Sequence, residues 1–233
     1  MSRIRRWHVM LVTVLCFGST VLLSLWWDHN MRSALGGEEL MYFPHGRFVK
    51  EAALGHRETM ADIAWLRAIQ YYGHHRLTDQ QYQMIGHLMD VTTELDPRFE
   101  SPYVFGALVM AQDLGDLEGA LRLLDKGIRE NPNSWRLHFE KGFILFVCSR
   151  EYEQSAQYFR LAASMPECPP FALHFAAYAT AKSGYVETAL RLWQKVAETT
   201  DNKYVYELAL KNIQRLAKQL NTETEESAHV GSL

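Results

Sequence analysis

Cysteine is scarce in this 233-residue chain: Cys16, Cys148 and Cys168 are the three, and no two share a C-x-x-C spacing. That excludes a paired-cysteine zinc site, a thioredoxin-type redox pair and c-type haem attachment. Excess positive charge is absent too. The net charge is −3, from 24 Lys and Arg against 27 Asp and Glu, which leaves no cationic footprint for nucleic acid. The ten histidines form no H-E-x-x-H spacing. His74 and His75 are adjacent, so they cannot share a helical face, and they read as solvated loop residues. His87 has Asp90 three residues on but no third ligand. His138 and His174 stand alone. No metal is expected. There is no G-x-S-x-G and no phosphate loop, so no catalytic residue and no cofactor is expected either. An enzyme reading would have to use Glu58, Asp62 or Asp90, and nothing marks them out. No stretch alternates with period two, so no sheet is expected.

A long uncharged run is present. Residues 7–27, "WHVMLVTVLCFGSTVLLSLWW", follow Arg3, Arg5 and Arg6 and end at Asp28. About 20 apolar residues cross about 30 Å of hydrocarbon. Trp7 at one end and Trp26 and Trp27 at the other suit an aromatic belt, and the arginines place the N-terminus in the cytoplasm. No clean A-x-A site follows, which favours an uncleaved anchor over a signal peptide. The residues before Cys16, "TVL", lack the small side chains of a lipobox, so Cys16 reads as a buried apolar residue. The rest of the chain is then expected across the inner membrane, on the periplasmic or extracytoplasmic side.

Beyond the run, residues 28–57 contain "GG" and "FPHG" and read as a linker or cap. Helical periodicity starts at Glu58, with Ile63, Leu66, Ile69 and Tyr72 near one face. "GHHRLTD" predicts a break, and Thr78 with Gln81 predicts a capping box for the next helix, which runs to "ELDP". Helices then come in pairs. Residues 203–220 carry an apolar stripe of Val205, Leu208, Ala209, Ile213, Leu216 and Leu220 and read as a terminal capping helix. Residues 221–233 are polar and predict a disordered tail.

The pairs repeat. In "GDLEGALRLLDKGIRENP", with Gly115 at position 15 of a 34-residue unit, Ala120 falls at 20, Leu124 at 24, Gly127 at 27 and Pro132 at 32. Thirty-five residues on, Ser155, Phe159 and Ala162 occupy positions 20, 24 and 27. After 34 more, Gly184 is at 15 and Ala189, Trp193 and Val196 follow the same scheme. Small side chains at 20 and 27 let a second helix approach its neighbours, the large one at 24 fills the space between, and proline stops the helix. The first helices agree less well: Ala107, Gly142 and Ala176 put a small residue at position 7, and Leu108 and Phe143 put a large one at 8.

This pattern resembles the tetratricopeptide repeat family over about residues 58–200. It has a degenerate hairpin at 58–97 and three better copies at 98–202. The resemblance implies an all-α, right-handed helical-hairpin solenoid, here preceded by one transmembrane helix and by the basic residues 1–6. In this family the first helices line a concave face. Carrying over its groove positions gives Phe105, Val109, Leu137, Ile144, Val147, Phe171, His174 and Tyr178, with Pro102, Gln112, Glu140 and Ala181 at secondary places. Such a groove suits an apolar helix or peptide. The expected function is a membrane-anchored scaffold with a protein partner, an accessory subunit or assembly factor of a bacterial membrane complex. Pilus or secretion assembly and a non-redox companion of a membrane oxidoreductase are the alternatives, and a helical-repeat cell-wall enzyme is the reading from another class. No nucleic acid or small-molecule substrate is expected.

Overall fold

The computed structural model describes Thr13, residues 16–23, Glu51 and residues 53–230. It divides into two compact units, Met1–Pro44 and His45–Leu233. In the first unit, Thr13 and residues 16–23 are helical, and Cys16 is exposed. The rest of the expected anchor at 7–27, the basic residues 1–6 and most of 28–57 lie outside the described residues. Among the described residues, no helix is long and apolar enough to cross a membrane.

The second unit holds α1 (Arg57–Leu77), α2 (Ile85–Leu95), α3 (Glu100–Gln112), α4 (Leu117–Glu130), α5 (Trp135–Ile144), a π turn (Leu145–Ser149), α6 (Tyr152–Ala163), α7 (Phe171–Lys182), α8 (Val186–Thr199) and α9 (Lys203–Val230). No strand occurs among the described residues. Consecutive helices pack on one another in chain order, α1 on α2 through to α9 on α8, and α3 also packs on α5. This is a series of helical hairpins.

The local chemistry of the hairpins recurs with the repeat. The turn between first and second helix needs one residue in the left-handed region. Gly115 (φ 67°), Arg150 (φ 58°) and Gly184 (φ 89°) supply it at equivalent places. The helix ends are closed alike: Asp116 N–H donates to Met110 O at 2.8 Å and, one repeat on, Glu151 N–H donates to Leu145 O at 3.0 Å. Asp116 caps α4 by accepting from Gly119 N–H at 2.8 Å. Ser134 does the same for α5, accepting from Leu137 N–H at 3.4 Å.

Packing follows the small–large–small pattern. Ala120, Ser155 and Ala189 are fully buried, and so are Leu124, Phe159 and Trp193 four residues on. The Ser155 hydroxyl donates to Gly142 O at 2.7 Å, which ties α6 to α5 and satisfies a buried group. The small residues at position 7, Ala107, Gly142 and Ala176, are buried, while Leu108 and Phe143 at position 8 stay half-exposed. The first helices therefore meet the second helices through position 7.

The helix does end within "GHHRLTD", at Leu77, where the Thr78 hydroxyl closes it by donating to His74 O at 2.9 Å. Three expectations are corrected. Thr78 and Gln81 form no capping box, because α2 starts only at Ile85. His74 is exposed and His75 half-buried, and the His75 ring lies 4.3 Å from that of Tyr71. The buried face of α1 is also not the one with large side chains. Ala61, Ala64, Ala68 and Tyr71 are buried, and Ile63, Leu66 and Ile69 are exposed. Alanines permit the closer approach to α2. Finally, α9 continues to Val230. No proline or glycine interrupts 221–230, so the segment expected as a disordered tail extends the helix. Ala209 and Leu216 bury its stripe against Trp193 and Val196, with Val205, Leu208, Ile213 and Leu220 beside them.

Two glycines test this account. A Cβ on Gly127 would lie 2.8 and 2.9 Å from ring atoms of Tyr103. That ring is buried, and its hydroxyl donates to Pro97 O at 3.2 Å. Gly127→Ala is expected to destabilise the fold by about 1–3 kcal/mol in urea unfolding. A Cβ on Gly73, within α1, meets nothing within 4 Å. Gly73→Ala is expected to stabilise by about 1 kcal/mol in the same assay.

Candidate partner-binding face

The first helices α1, α3, α5 and α7 meet through aromatic seams. In one, Phe105 of α3 sits edge-on to Trp65 and Tyr72 of α1, with centroids 5.4 and 5.1 Å apart. In the other, Phe139 of α5 meets Phe171 and Phe175 of α7 at 5.0 and 5.2 Å, and Trp135 meets Phe171 at 6.0 Å. Phe159 of α6 backs this second seam, 5.0 Å from Phe139 and 5.4 Å from Phe175. Edge-to-face pairs of this kind add about 0.5–1.5 kcal/mol each beyond burial. The seams are only partly covered: Trp65, Phe105, Trp135, Phe139, Phe143 and Phe175 are half-exposed and Phe171 is 37% exposed.

The expected groove residues divide in two. Phe105, His174 and Tyr178 are half-buried, and Phe171 and Val147 are exposed. Tyr178 rests edge-on against Trp193 at 4.8 Å. Val109, Leu137 and Ile144 are buried and belong to the core, not to a groove. The secondary positions also differ: Gln112 is exposed, Ala181 half-buried, and Pro102 and Glu140 buried. The sequence reading put Ile63, Leu66 and Ile69 near one face of α1 but did not identify that face as exposed.

Glu140 is the electrostatic anomaly. It is 8% exposed, and its Oε1 is buried without a hydrogen-bond partner. Burial pushes its carboxyl up to about 7, against the pull of Arg136 one turn earlier. Its neighbours in sequence are better served. Lys141 pairs with Asp125 and lies over the Tyr158 ring, 4.7 Å from its centroid. Burial depresses Lys141, but the hydrogen bonds it donates to Asp125 and Tyr158 outweigh that and raise its pKa overall. His138 donates from Nε2 to Pro132 O at 3.2 Å, while its Nδ1 has no partner; burial lowers its pKa. His174 is likewise lowered by burial.

The thiols are not set up as nucleophiles. Cys148 is exposed on the π turn. Burial raises the pKa of both Cys148 and Cys168, and both are free thiols. No group of three His, Cys, Asp or Glu side chains able to hold a metal occurs among the described residues. Glu58 and Asp62 are exposed on α1, and Asp90 lies 3.5 Å from Lys126.

No family model and no curated protein matches the chain. Solved structures do resemble it. One, the MamA RS-1 ArsTM double mutant, aligns with a TM-score of 0.49 at 13% identity, over 69% of this chain and 96% of that one. A likeness of that degree says nothing of what this chain binds.

Glu140 yields a signed pH prediction. A carboxyl with a raised folded-state pKa stabilises fully below its ordinary value of 4.5 and loses that contribution as pH rises through about 7. Glu140→Gln removes the charge without changing shape. The variant is expected to match the parent near pH 4.5 and to exceed it above pH 7 by up to about 3 kcal/mol in urea unfolding. His138 acts in the opposite sense on the acid side, but both proteins carry it, so the difference between them isolates Glu140.

Proposed function

We propose that this chain is a membrane-anchored helical-repeat scaffold that binds a protein partner through the face of its first helices. The observation that carries the reading is the set of uncovered apolar side chains on α1, on α7 and on the π turn that follows α5. Leu66 is 59% exposed, Val147 49%, Ile63 43% and Phe171 37%. Contiguous exposed apolar patches mark interaction surfaces, and the reading takes these side chains as parts of one. The half-buried aromatics beside them supply anchors of the kind that dominate protein interfaces. In this reading the hairpins wind into a right-handed solenoid and residues 7–27 form one transmembrane helix. The N-terminus is cytoplasmic and the repeats are extracytoplasmic. An anchor raises the effective concentration of the repeats near other membrane proteins. That suits an accessory subunit or assembly factor of a bacterial membrane complex.

Two measurements test it. Affinity capture of the full chain from detergent-solubilised membranes, followed by crosslinking, is expected to return a stoichiometric partner contacting Phe171 or Leu66. Phe171→Asp and Leu66→Asp are expected to weaken capture at least about tenfold with helical content unchanged. No stoichiometric partner, or one indifferent to both changes, overturns the docking face. Deleting residues 2–27 is expected to move the chain from the membrane fraction to the soluble one.

A further inference from the structure

A second feature lies at the turn ends of the first two hairpins, away from the aromatic seams between α5 and α7. A polar cleft of about 400 Å³ opens between the end of α1, the connection after it and the end of α3, lined by Arg76, Gln80, Tyr82, Gln112 and Asp113. That volume falls within the range of small-ligand sites, about 300–1,000 Å³.

The charged groups in it are held in place. Arg76 donates from Nη1 to the Tyr72 hydroxyl at 2.7 Å, and that hydroxyl donates to Asp113 Oδ2 at 3.0 Å. The guanidinium carbon sits 5.7 Å from the Tyr72 ring centroid. Tyr72 is itself wedged between Tyr82 at 4.9 Å and Phe105 at 5.1 Å, and Tyr82 is buried. Gln80 is presented from a left-handed backbone with φ 57°, its N–H bound to His75 O at 2.7 Å. The cation and the carboxylate thus stand two hydrogen bonds apart on a rigid aromatic base. They do not consume each other. The other four guanidinium N–H donors of Arg76 and the Oδ1 of Asp113 have no partner among the described residues. Both helices end at the cleft, so their C-terminal partial charges reinforce Asp113 in attracting a positive or N–H group.

We propose that this cleft binds a small α-amino acid carboxylate, with the carboxylate on Arg76 and the α-nitrogen donating to Asp113. Arg76 offers a planar pair of donors that matches a carboxylate. Asp113, joined to Arg76 through the Tyr72 hydroxyl by bonds of 2.7 and 3.0 Å, offers an acceptor for the α-nitrogen, and the two glutamine amides line the same cleft to bind the remaining polar atoms. The same chemistry occurs in a free amino acid and in the C-terminal residue of a peptide.

Titration calorimetry of the full chain in detergent tests the proposal, with three probes: L-alanine, N-acetyl-L-alanine and L-alaninamide. Binding of L-alanine alone identifies a free amino acid. Binding of N-acetyl-L-alanine, with or without L-alanine, identifies a peptide C-terminus. In either case Arg76→Gln and Asp113→Asn are each expected to weaken the bound probe at least about tenfold. Both positions are exposed, and circular dichroism checks that each variant keeps its helices. Absence of binding by both carboxylate probes overturns the proposal. So does L-alaninamide binding as tightly as they do, or an affinity indifferent to both substitutions. None of these results bears on the docking face, which is read out by partner capture.

Discussion

The fold depends on how closely each second helix can approach its neighbours. At three points per repeat a small side chain removes the obstacle: Ala120, Gly127 and Ala107 in the first good copy, Ser155, Ala162 and Gly142 in the next. Gly142 shows how little room is left, since a Cβ there would lie 3.0 Å from the Phe159 ring and 3.2 Å from the Ser155 carbonyl. Close backbones leave a gap that only a large side chain fills, and Leu124, Phe159 and Trp193 fill it. Small and large are therefore one device, and changing either half opens a void or forces a clash.

The same device decides where the remaining large residues go. With position 7 taken by Ala107 or Gly142, the bulky residue at position 8 cannot enter the hairpin. Leu108 and Phe143 remain half-exposed. On α1 the effect is larger. Alanines at 61, 64 and 68 occupy the contact with α2, and Ile63, Leu66 and Ile69 are left on the surface. The exposed apolar face is a by-product of tight packing within the hairpins. It becomes useful only when something covers it, which is why a partner is the natural reading.

The repeat itself was legible in the sequence, because glycine, alanine and proline at fixed spacings report sterics directly. Gly115 and Gly184 marked their turns for that reason. Arg150 did not, since a non-glycine residue in the left-handed region leaves no trace in the sequence. The face of α1 was misread for a related cause. Periodicity finds large apolar side chains, and there the core was built from small ones. Val109, Leu137 and Ile144 were placed in a groove by register alone, although packing of the hairpins removes them from solvent. The Arg76–Tyr72–Asp113 chain joins α1 to the end of α3, and no local pattern connects those residues.

Glu140 marks the limit of a purely structural account. Every other buried polar residue on α5 has an evident purpose: Ser134 caps the helix, His138 holds the Pro132 carbonyl, and Lys141 ties α5 to Asp125 of α4. Glu140 has no such bond on its buried oxygen. A glutamine of the same shape would avoid the cost of an unpaired carboxylate, which is about 1–3 kcal/mol or more for a buried charged group. Fold stability alone therefore gives no reason for an acid here. Glu140 lies one turn after exposed Arg136 and one turn before fully buried Ile144, on the side of α5 that enters the core. Real proteins keep such departures from local rules at functional or strained sites, so Glu140 is the position on α5 where the stability of the isolated chain is most open to improvement.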